Sequence, residues 1–388
     1  MASARVLSVR AVNRALLARQ LLLERQVLPA GPERTAQVVR TIEHLVGLQA
    51  QAPFPPYYGL HSRLDGFLPE DLAALITDRS LVRIAVMRGT IHLVSARDCL
   101  PLRQLVQPVI ERGMRGAFGK QLAGVDPEEL AAAGRRLVET EPMSFAQLGQ
   151  ALAARWPDHP PAALAQGVRA YVPLVQVPPR AVWGQAGQAL HTSAEHWLGP
   201  PRPSGGPGYP LPAPGPAELA RLVTRYLGAF GPATVRDVQA WSGLTGLKEV
   251  LEQLRPSLIT FRNEHGAELF DLPTAPRPGE DTLAPVRLVA EYDNLVLSHA
   301  ERSRVISPGA TGLLSTINGV IPGSVLIDGF VAGMWRLTRS RPEAAVTIDM
   351  FGPVRERDAL ISEAERVLTF AAPGVAGAVR FAPLVTSS

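Results

Sequence analysis

The sequence is poor in the residues that staple, anchor or cross-link a protein. Of 388 residues one is cysteine, Cys99, and two are lysine, Lys120 and Lys248. A single cysteine excludes an intramolecular disulfide framework and any multi-cysteine zinc or iron–sulfur site; Cys99 reads as a small buried residue. No run approaches the twenty or so apolar residues that a membrane-spanning helix needs, so no membrane partner is expected. The eight histidines are scattered. The nearest approach to a ligand pattern is His191-Thr-Ser-Ala-Glu-His196, which has no third ligand in view, so neither a metal nor a cofactor is expected. Glycines in the stretch 200–216 lack the strand–glycine–helix setting of a phosphate-binding loop.

What is present is an ordinary globular composition, 46% hydrophobic and 19% charged, with room for two to four domains. Basic residues slightly outnumber acidic ones, 39 to 35, and almost all are arginine. An excess of Ala, Gly, Pro and Arg together is what GC-rich coding produces; the functional alternative is that the planar guanidinium fork suits phosphates and base edges. The N-terminal stretch, with Arg5, Arg10 and Arg14 before a leucine-rich run, alternates charge with leucine and lacks a small-residue cleavage site. It reads as an amphipathic helix, and the expected compartment is the cytoplasm.

Proline and glycine mark the boundaries. Residues 200–216, PPRPSGGPGYPLPAPGP, read as an extended linker, and TAPRPGED at 274–281 as a second break. Between them AELARLVTRYLGAF forms a helix stopped by Gly231-Pro232, and Thr234 caps VRDVQAWSG. LTGLKEVLEQLRPSLITF offers a third helix, followed by two strand-like runs, LITFR and AELFDL, joined through Asn263-Glu264-His265-Gly266. Three helices and a hairpin are the pattern of a winged helix. The same grammar recurs in the first stretch, with Arg88-Gly89-Thr90 at the tip of its hairpin, and again over the second. The segments after residue 285 are β-branched and alternating, closed by a helix. The expected fold class is α+β: tandem winged-helix units at 1–122, 123–199 and 217–280, a linker at 200–216, and an antiparallel β-barrel-like domain at 281–388.

Four stretches in order, Gly47-Leu-Gln-Ala-Gln51, Arg88-Gly-Thr-Ile-His-Leu-Val94, EYDNLVLSHAERSRV at 291–305 and IDGFVAGMWR at 327–336, resemble the bacterial winged-helix DNA glycosylases of the AlkZ/YcaQ type over nearly the whole chain. The resemblance implies three tandem winged helices and a β-barrel around a concave DNA surface, a monomer, and a partner that is duplex DNA containing alkylated bases. The family's catalytic signature, Gln, an apolar residue, then Gln or Asp, falls here on Gln49-Ala50-Gln51. That form resembles the azinomycin-resistance branch, which removes bulky N7-alkylguanines and unhooks crosslinks. The implied activity is a monofunctional DNA glycosylase, with no lysine nucleophile and so no Schiff base.

Glutamines suit that chemistry because N7-alkylguanine is already cationic and leaves without needing a proton. The reaction asks for a positioned water and a dipole facing the developing charge on the sugar. Gln51 is therefore expected to hold the water and Gln49 to face the sugar or an adjacent phosphate. Both are placed at the end of a helix running into Pro53, with the chain breaking at Ala52-Pro53 so that the two side chains converge.

Around Leu295-Val296-Leu297 lies a polar cluster. There His299, Arg302 and Arg304 are expected to enter a groove or brace the DNA backbone, and Asn294 and Arg88 are further candidate DNA contacts. Arg83, Arg112, Arg115, Arg135, Arg136 and Arg169 are candidates to line the concave face. Trp183, Trp197, Trp241 and Trp335 read as core anchors. The alternatives are a non-enzymatic winged-helix regulator, for which no dimerising heptad is visible, and a paralogue that kept the fold without the activity.

Overall fold

The computed structural model describes residues 5–199, 214–314, 321–340 and 343–382; most of the expected linker, residues 200–213, lies outside them. One order of elements occurs three times: a helix, a strand of one or two residues, two more helices, and a β-hairpin. In the first occurrence helix Glu33–His44 leads to strand Leu48–Gln49, helices Pro55–His61 and Pro69–Thr77, and strands Leu81–Ala85 and Ile91–Ser95. In the second, Pro127–Thr140 precedes helices Phe145–Ala153 and Pro161–Tyr171 and strands Leu174–Gln176 and His191–Ser193, and Met143 bridges His191. In the third, Pro216–Phe230 precedes Val235–Ser242 and Leu247–Leu254 with strands Ile259–Asn263 and Glu268–Asp271, and Ala233 bridges Phe270. In each, the short strand pairs with the second arm of the hairpin.

Local chemistry explains the boundaries. Ser144 and Gln147, and Thr234 and Asp237, form reciprocal capping boxes at the second helix of the later two units. Gly243, at φ 79°, ends helix Val235–Ser242 in the left-handed conformation that glycine adopts without penalty.

The first two hairpins fuse. Strand Leu81–Ala85 pairs with Leu174–Gln176, giving one five-stranded antiparallel sheet that runs from Leu48–Gln49 to His191–Ser193. The third hairpin is extended instead by the N-terminal strand Val6–Leu7, parallel to Ile259–Asn263. Helix Val9–Arg19 follows that strand and is far more buried than its leucine–arginine alternation suggests. Arg14 and Arg19 are fully buried. Arg19 makes a bidentate pair with Asp271, whose side chain is also fully buried, and Arg14 pairs with Asp328. Every such guanidinium must find acceptors once it leaves water, and these cross-chain pairs supply them.

The C-terminal sheet departs from the expected antiparallel barrel. Its strands, Arg287–Val289, Gly323–Ile327, Phe330–Ser340, Glu343–Met350 and Ala376–Phe381, pair in chain order, and among the described residues the two outer strands do not close on each other. The last pair is parallel, because helix Arg357–Ala371 carries the chain back across the sheet before the final strand; a crossover of that kind delivers a parallel neighbour. Leu360, Ala364, Val367 and Leu368 of that helix cover Val325, Val346 and Ile348, so one face is sealed by a helix and not by barrel closure. Trp241 and Trp335 are core residues and Cys99 is fully buried, whereas Trp183 and Trp197 are half-buried. Among the described residues no helix is long and apolar enough to cross a membrane.

Candidate active site

Helix Glu33–His44 stops where Val46 (φ 55°) and Gly47 (φ 90°) turn the backbone left-handed. A side chain at 47 has no room: a Cβ there would lie 2.9 Å from Val94 Cγ1 and 3.1 Å from the Leu93 carbonyl oxygen. Leu48–Gln49 then pairs with Leu93 and His92, and the Ala50 amide donates to the Ile91 carbonyl at 2.8 Å. The Gln-Ala-Gln run therefore leaves a two-residue edge strand and enters a bend at residues 51–54 instead of ending a helix, and the helix breaks at Val46-Gly47 instead of Ala52-Pro53. The strand ends at Gln49 and Gln51 lies in the bend that follows, yet both amides meet the 81–95 hairpin, Gln49 through Arg88 and Gln51 through the Ile91 amide. Ala50 between them is held from both edges, since Arg83 Nη2 donates to its carbonyl at 2.6 Å.

The two amides have different surroundings. Gln49 is 9% exposed, and its Oε1 accepts from Arg88 Nη2 at 2.7 Å. Gln51 is exposed; its Oε1 accepts a long contact, 3.3 Å, from the Ile91 amide, which leaves an oxygen lone pair facing solvent. Arg88 sits at the tip of the 81–95 hairpin in left-handed backbone, φ 58°, and also donates to the Trp241 carbonyl at 2.6 Å. Burial and the neighbouring Arg302 charge lower its pKa to about 10, so it stays protonated at neutral pH. His92, opposite Gln49, is fully buried; its Nδ1 lies 3.0 Å from the Thr90 carbonyl and its Nε2 has no partner among the described residues. Burial, then Arg88, pushes its pKa down to about 3, so the ring is neutral. The hairpin tip is gripped further: Arg169 Nη2 donates to the Gly89 carbonyl at 2.9 Å, and Arg112 donates to the Gly243 carbonyl at 2.7 Å.

The remaining sequence candidates separate by burial. The Arg302 side chain is exposed and makes no hydrogen bond or ion pair among the described residues. His299 and Arg304, on either side of it in sequence, are buried and do not present themselves to a groove. His299 Nε2 is 3.0 Å from the Phe230 carbonyl, and burial lowers its pKa to about 3. Arg304 donates to the Pro232 carbonyl at 2.7 Å and to Asp237 at 3.2 Å. Their polar atoms serve the packing between the third unit and the loop after residue 298. Asn294 is also buried; its Nδ2 donates to the Gly47 carbonyl at 3.1 Å, so it braces the turn that carries the glutamines. The stretch around it is not an alternating strand but a four-residue helix, Asn294–Leu297, capped by Asp293. Of the arginines proposed for a concave face, Arg112, Arg115 and Arg136 are exposed, Arg83 is buried against Ala50, and Arg135 is occupied by Glu139 and Glu195.

Sequence reasoning passed over Arg63 and its pairing with Asp293, described below, and the bracing role of Asn294. No local signal marks such pairings, since the partners lie more than two hundred positions apart. His92 was visible within the Arg88–Val94 string but carried no role. Among the described residues no group of three or more His, Cys, Asp or Glu side chains is placed to hold a metal ion.

The arrangement is two amides at and just beyond the end of an edge strand, both against one hairpin, with Arg88 on Gln49 and Arg83 on the Ala50 carbonyl between them. Comparison with known proteins gives it a context. A family model described as DNA glycosylase AlkZ-like matches residues 42–370. An interstrand DNA cross-link repair glycosylase of Streptomyces sahachiroi is 28% identical over 138 residues, a match spanning 32% of this chain and 36% of that protein. The solved structure of Streptomyces sahachiroi DNA glycosylase AlkZ superposes with a TM-score of 0.76, covering 97% of this chain and all of that one. At 20% identity that likeness speaks to the shared α+β fold.

Proposed function

Since this chain belongs to the AlkZ-like family of DNA glycosylases, we propose that it hydrolyses the N-glycosidic bond of N7-alkylated guanine in duplex DNA, acting as a cytoplasmic monomer. The observation that carries the reading is the placement of Gln49 and Gln51 against the 81–95 hairpin, with Gln51 open to solvent. The thrice-repeated helix–strand–helix–helix–hairpin order is read as three winged-helix units, and the 81–95 hairpin as the wing that meets DNA. A bulky adduct and an interstrand crosslink are the natural extension, because the curated relative is a cross-link repair glycosylase. The physiological role is then repair of, or self-resistance to, a genotoxic alkylator.

In this mechanism Gln51 Oε1 accepts a hydrogen bond from a water and directs its oxygen at C1′ of the lesion nucleotide. The C1′–N9 bond breaks as the oxygen–carbon bond forms. The bonding pair neutralises the cationic purine, which leaves without a protein acid, and the water's proton passes to solvent. An amide carbonyl does not ionise here, so it lowers the barrier by position and dipole instead of by deprotonation.

The test is single-turnover base release from duplexes carrying N7-methylguanine or a bulky N7-alkylguanine. Gln51→Ala is expected to slow release by about 100- to 1,000-fold, the usual cost of one aligned transition-state dipole, with duplex affinity nearly unchanged. No release by wild type from either duplex, despite salt-sensitive binding, would instead indicate a regulator or an inactive paralogue.

A further inference from the structure

We propose that Arg88 is a positioning residue that makes Gln49 a hydrogen-bond donor toward an oxygen of the DNA backbone beside the lesion. The assignment rests on the glycosylase reading above and adds to it a polarity for each glutamine: Gln51 accepts from water, Gln49 donates to the strand.

The geometry comes first from chemistry that cannot be reversed. A guanidinium carries five N–H donors and no acceptor, so the Gln49 atom 2.7 Å from Arg88 Nη2 must be the carbonyl oxygen. The amide nitrogen then points away from Arg88. Among the described residues it has no partner, and it is not sealed from solvent. A side chain whose oxygen is occupied and whose NH2 group faces outward meets acceptors, and the acceptors that duplex DNA offers beside a lesion are phosphate and sugar oxygens.

Arg88 is itself held for the task. Its other Nη donates to the Trp241 carbonyl at 2.6 Å, so the two prongs of the fork bridge Gln49 and the third unit. Its φ of 58° is a conformation a non-glycine residue keeps only where its surroundings overdetermine it. The surroundings do so: Arg169 holds the next carbonyl, and Gly243 lies so close that a Cβ there would be 3.4 Å from Arg88 Cα and 2.8 Å from Val109. No carboxylate pairs with Arg88 among the described residues, and exposed Arg302 is the charge felt most strongly beside it. Two cations without a counter-ion, Arg88 on Gln49 and Arg302 near Arg88, suit an incoming phosphate.

The experiment compares Gln49→Glu, Gln49→Ala, Arg88→Lys and the double variant Arg88→Lys/Gln49→Ala. Each is assayed for single-turnover release from an N7-methylguanine duplex and for affinity to the same duplex. Glutamate keeps the acceptor for Arg88 but has no N–H, so Gln49→Glu is expected to lose about 100-fold in rate, as Gln49→Ala does. Lysine keeps the charge but cannot span both acceptors, so Arg88→Lys is expected to slow release by about tenfold or more while binding shifts no more than about threefold. Because Arg88 acts through Gln49, the double variant should be no slower than Gln49→Ala alone. Near-wild-type release by Gln49→Glu would overturn the donor assignment, and additive losses in the double variant would overturn the positioning role. Wild-type protein that releases no base would fail the glycosylase reading itself, an outcome distinct from both.

Discussion

Removing the Asp293 carboxylate should destabilise the protein by an amount its contacts allow to be worked out. Asp293 and Arg63 are 1–2% exposed at their side chains and form a two-pronged pair, 2.8 Å at each prong. Breaking one partner of such a buried pair costs about 3–5 kcal/mol, because the other charge stays buried. Arg63 would keep three acceptors, the Gly59 carbonyl at 2.9 Å, Ser62 Oγ at 3.2 Å and Gln20 Oε1 at 3.1 Å, which places the loss near the lower end, about 3 kcal/mol. Asp293 Oδ1 also accepts from the Leu295 amide at 2.9 Å, capping helix Asn294–Leu297, and losing a cap adds about 1 kcal/mol. Asp293→Ala is therefore expected to cost about 4 kcal/mol in urea unfolding. Asp293→Asn retains an oxygen for the cap and should cost about 2 kcal/mol, the worth of a charge-assisted hydrogen bond. Asn294 braces Gly47 from the same helix, so Asp293→Ala should also slow base release, whereas Asp293→Asn should do so less. A loss under about 1 kcal/mol for Asp293→Ala would mean that the pair is hydrated and does not tie residues 63 and 293 together.

Three other outcomes follow from the same coordinates. Burial holds the pKa of His61, His92 and His299 at about 3 and that of His191 at about 4, against about 6.5 in an unfolded chain; the unfolded state alone then takes up protons as pH falls below 6.5. Stability is full above that pH and should drop by about 2 kcal/mol per histidine by pH 5, and a urea midpoint flat between pH 7.5 and 5 would contradict the neutral burial of these rings. Gly47→Ala places a methyl against Val94 and the Leu93 carbonyl in left-handed backbone; it should cost about 2 kcal/mol and slow base release by displacing the Gln49 strand, measurable as a lower melting temperature and a smaller single-turnover rate. Arg302→Ala should leave stability unchanged and reduce the salt dependence of duplex binding by about one phosphate contact, a slope change of about 0.9, whereas His299→Ala should leave the slope unchanged and lower the melting temperature.

Several helices and the first hairpin tip were legible because their signals are local, whereas helix Pro55–His61 went unread and strand Leu174–Gln176 lay inside a stretch with helical spacing. Thr234 and Asp237 announce a capping box within four residues, and Arg88-Gly89-Thr90 does form the tip between two paired strands. The Gln pair was visible by resemblance, but its backbone was misjudged. Thr41-Ile-Glu-His-Leu-Val46 has helical spacing, and nothing in it reveals that Val46 turns left-handed; Gly47 was the available clue, a residue that can adopt φ 90° where others are strained. The polar string from His299 to Arg304 was read as surface because a buried polar residue satisfied by distant carbonyls looks, in sequence, like one satisfied by water. His299 meets Phe230 and Arg304 meets Pro232, and only Arg302 of the three candidates there is left outside.

The long-range contacts tie the C-terminal region to the candidate site although it contributes neither glutamine. Arg63 reaches Asp293, Asn294 reaches Gly47, and Arg88 reaches Trp241, so three separate parts of the chain brace the segment that carries Gln49 and Gln51. Neutral amides exert weak forces compared with ionised groups, and a water held 1 Å out of line can forfeit about 100-fold in rate. A site built from amides therefore depends on the rigidity of its frame more than one built from carboxylates would. That dependence accounts for buried ion pairs, left-handed backbone at residues 46, 47 and 88 and a hairpin tip gripped from both flanking units, all converging on two side chains that carry no charge.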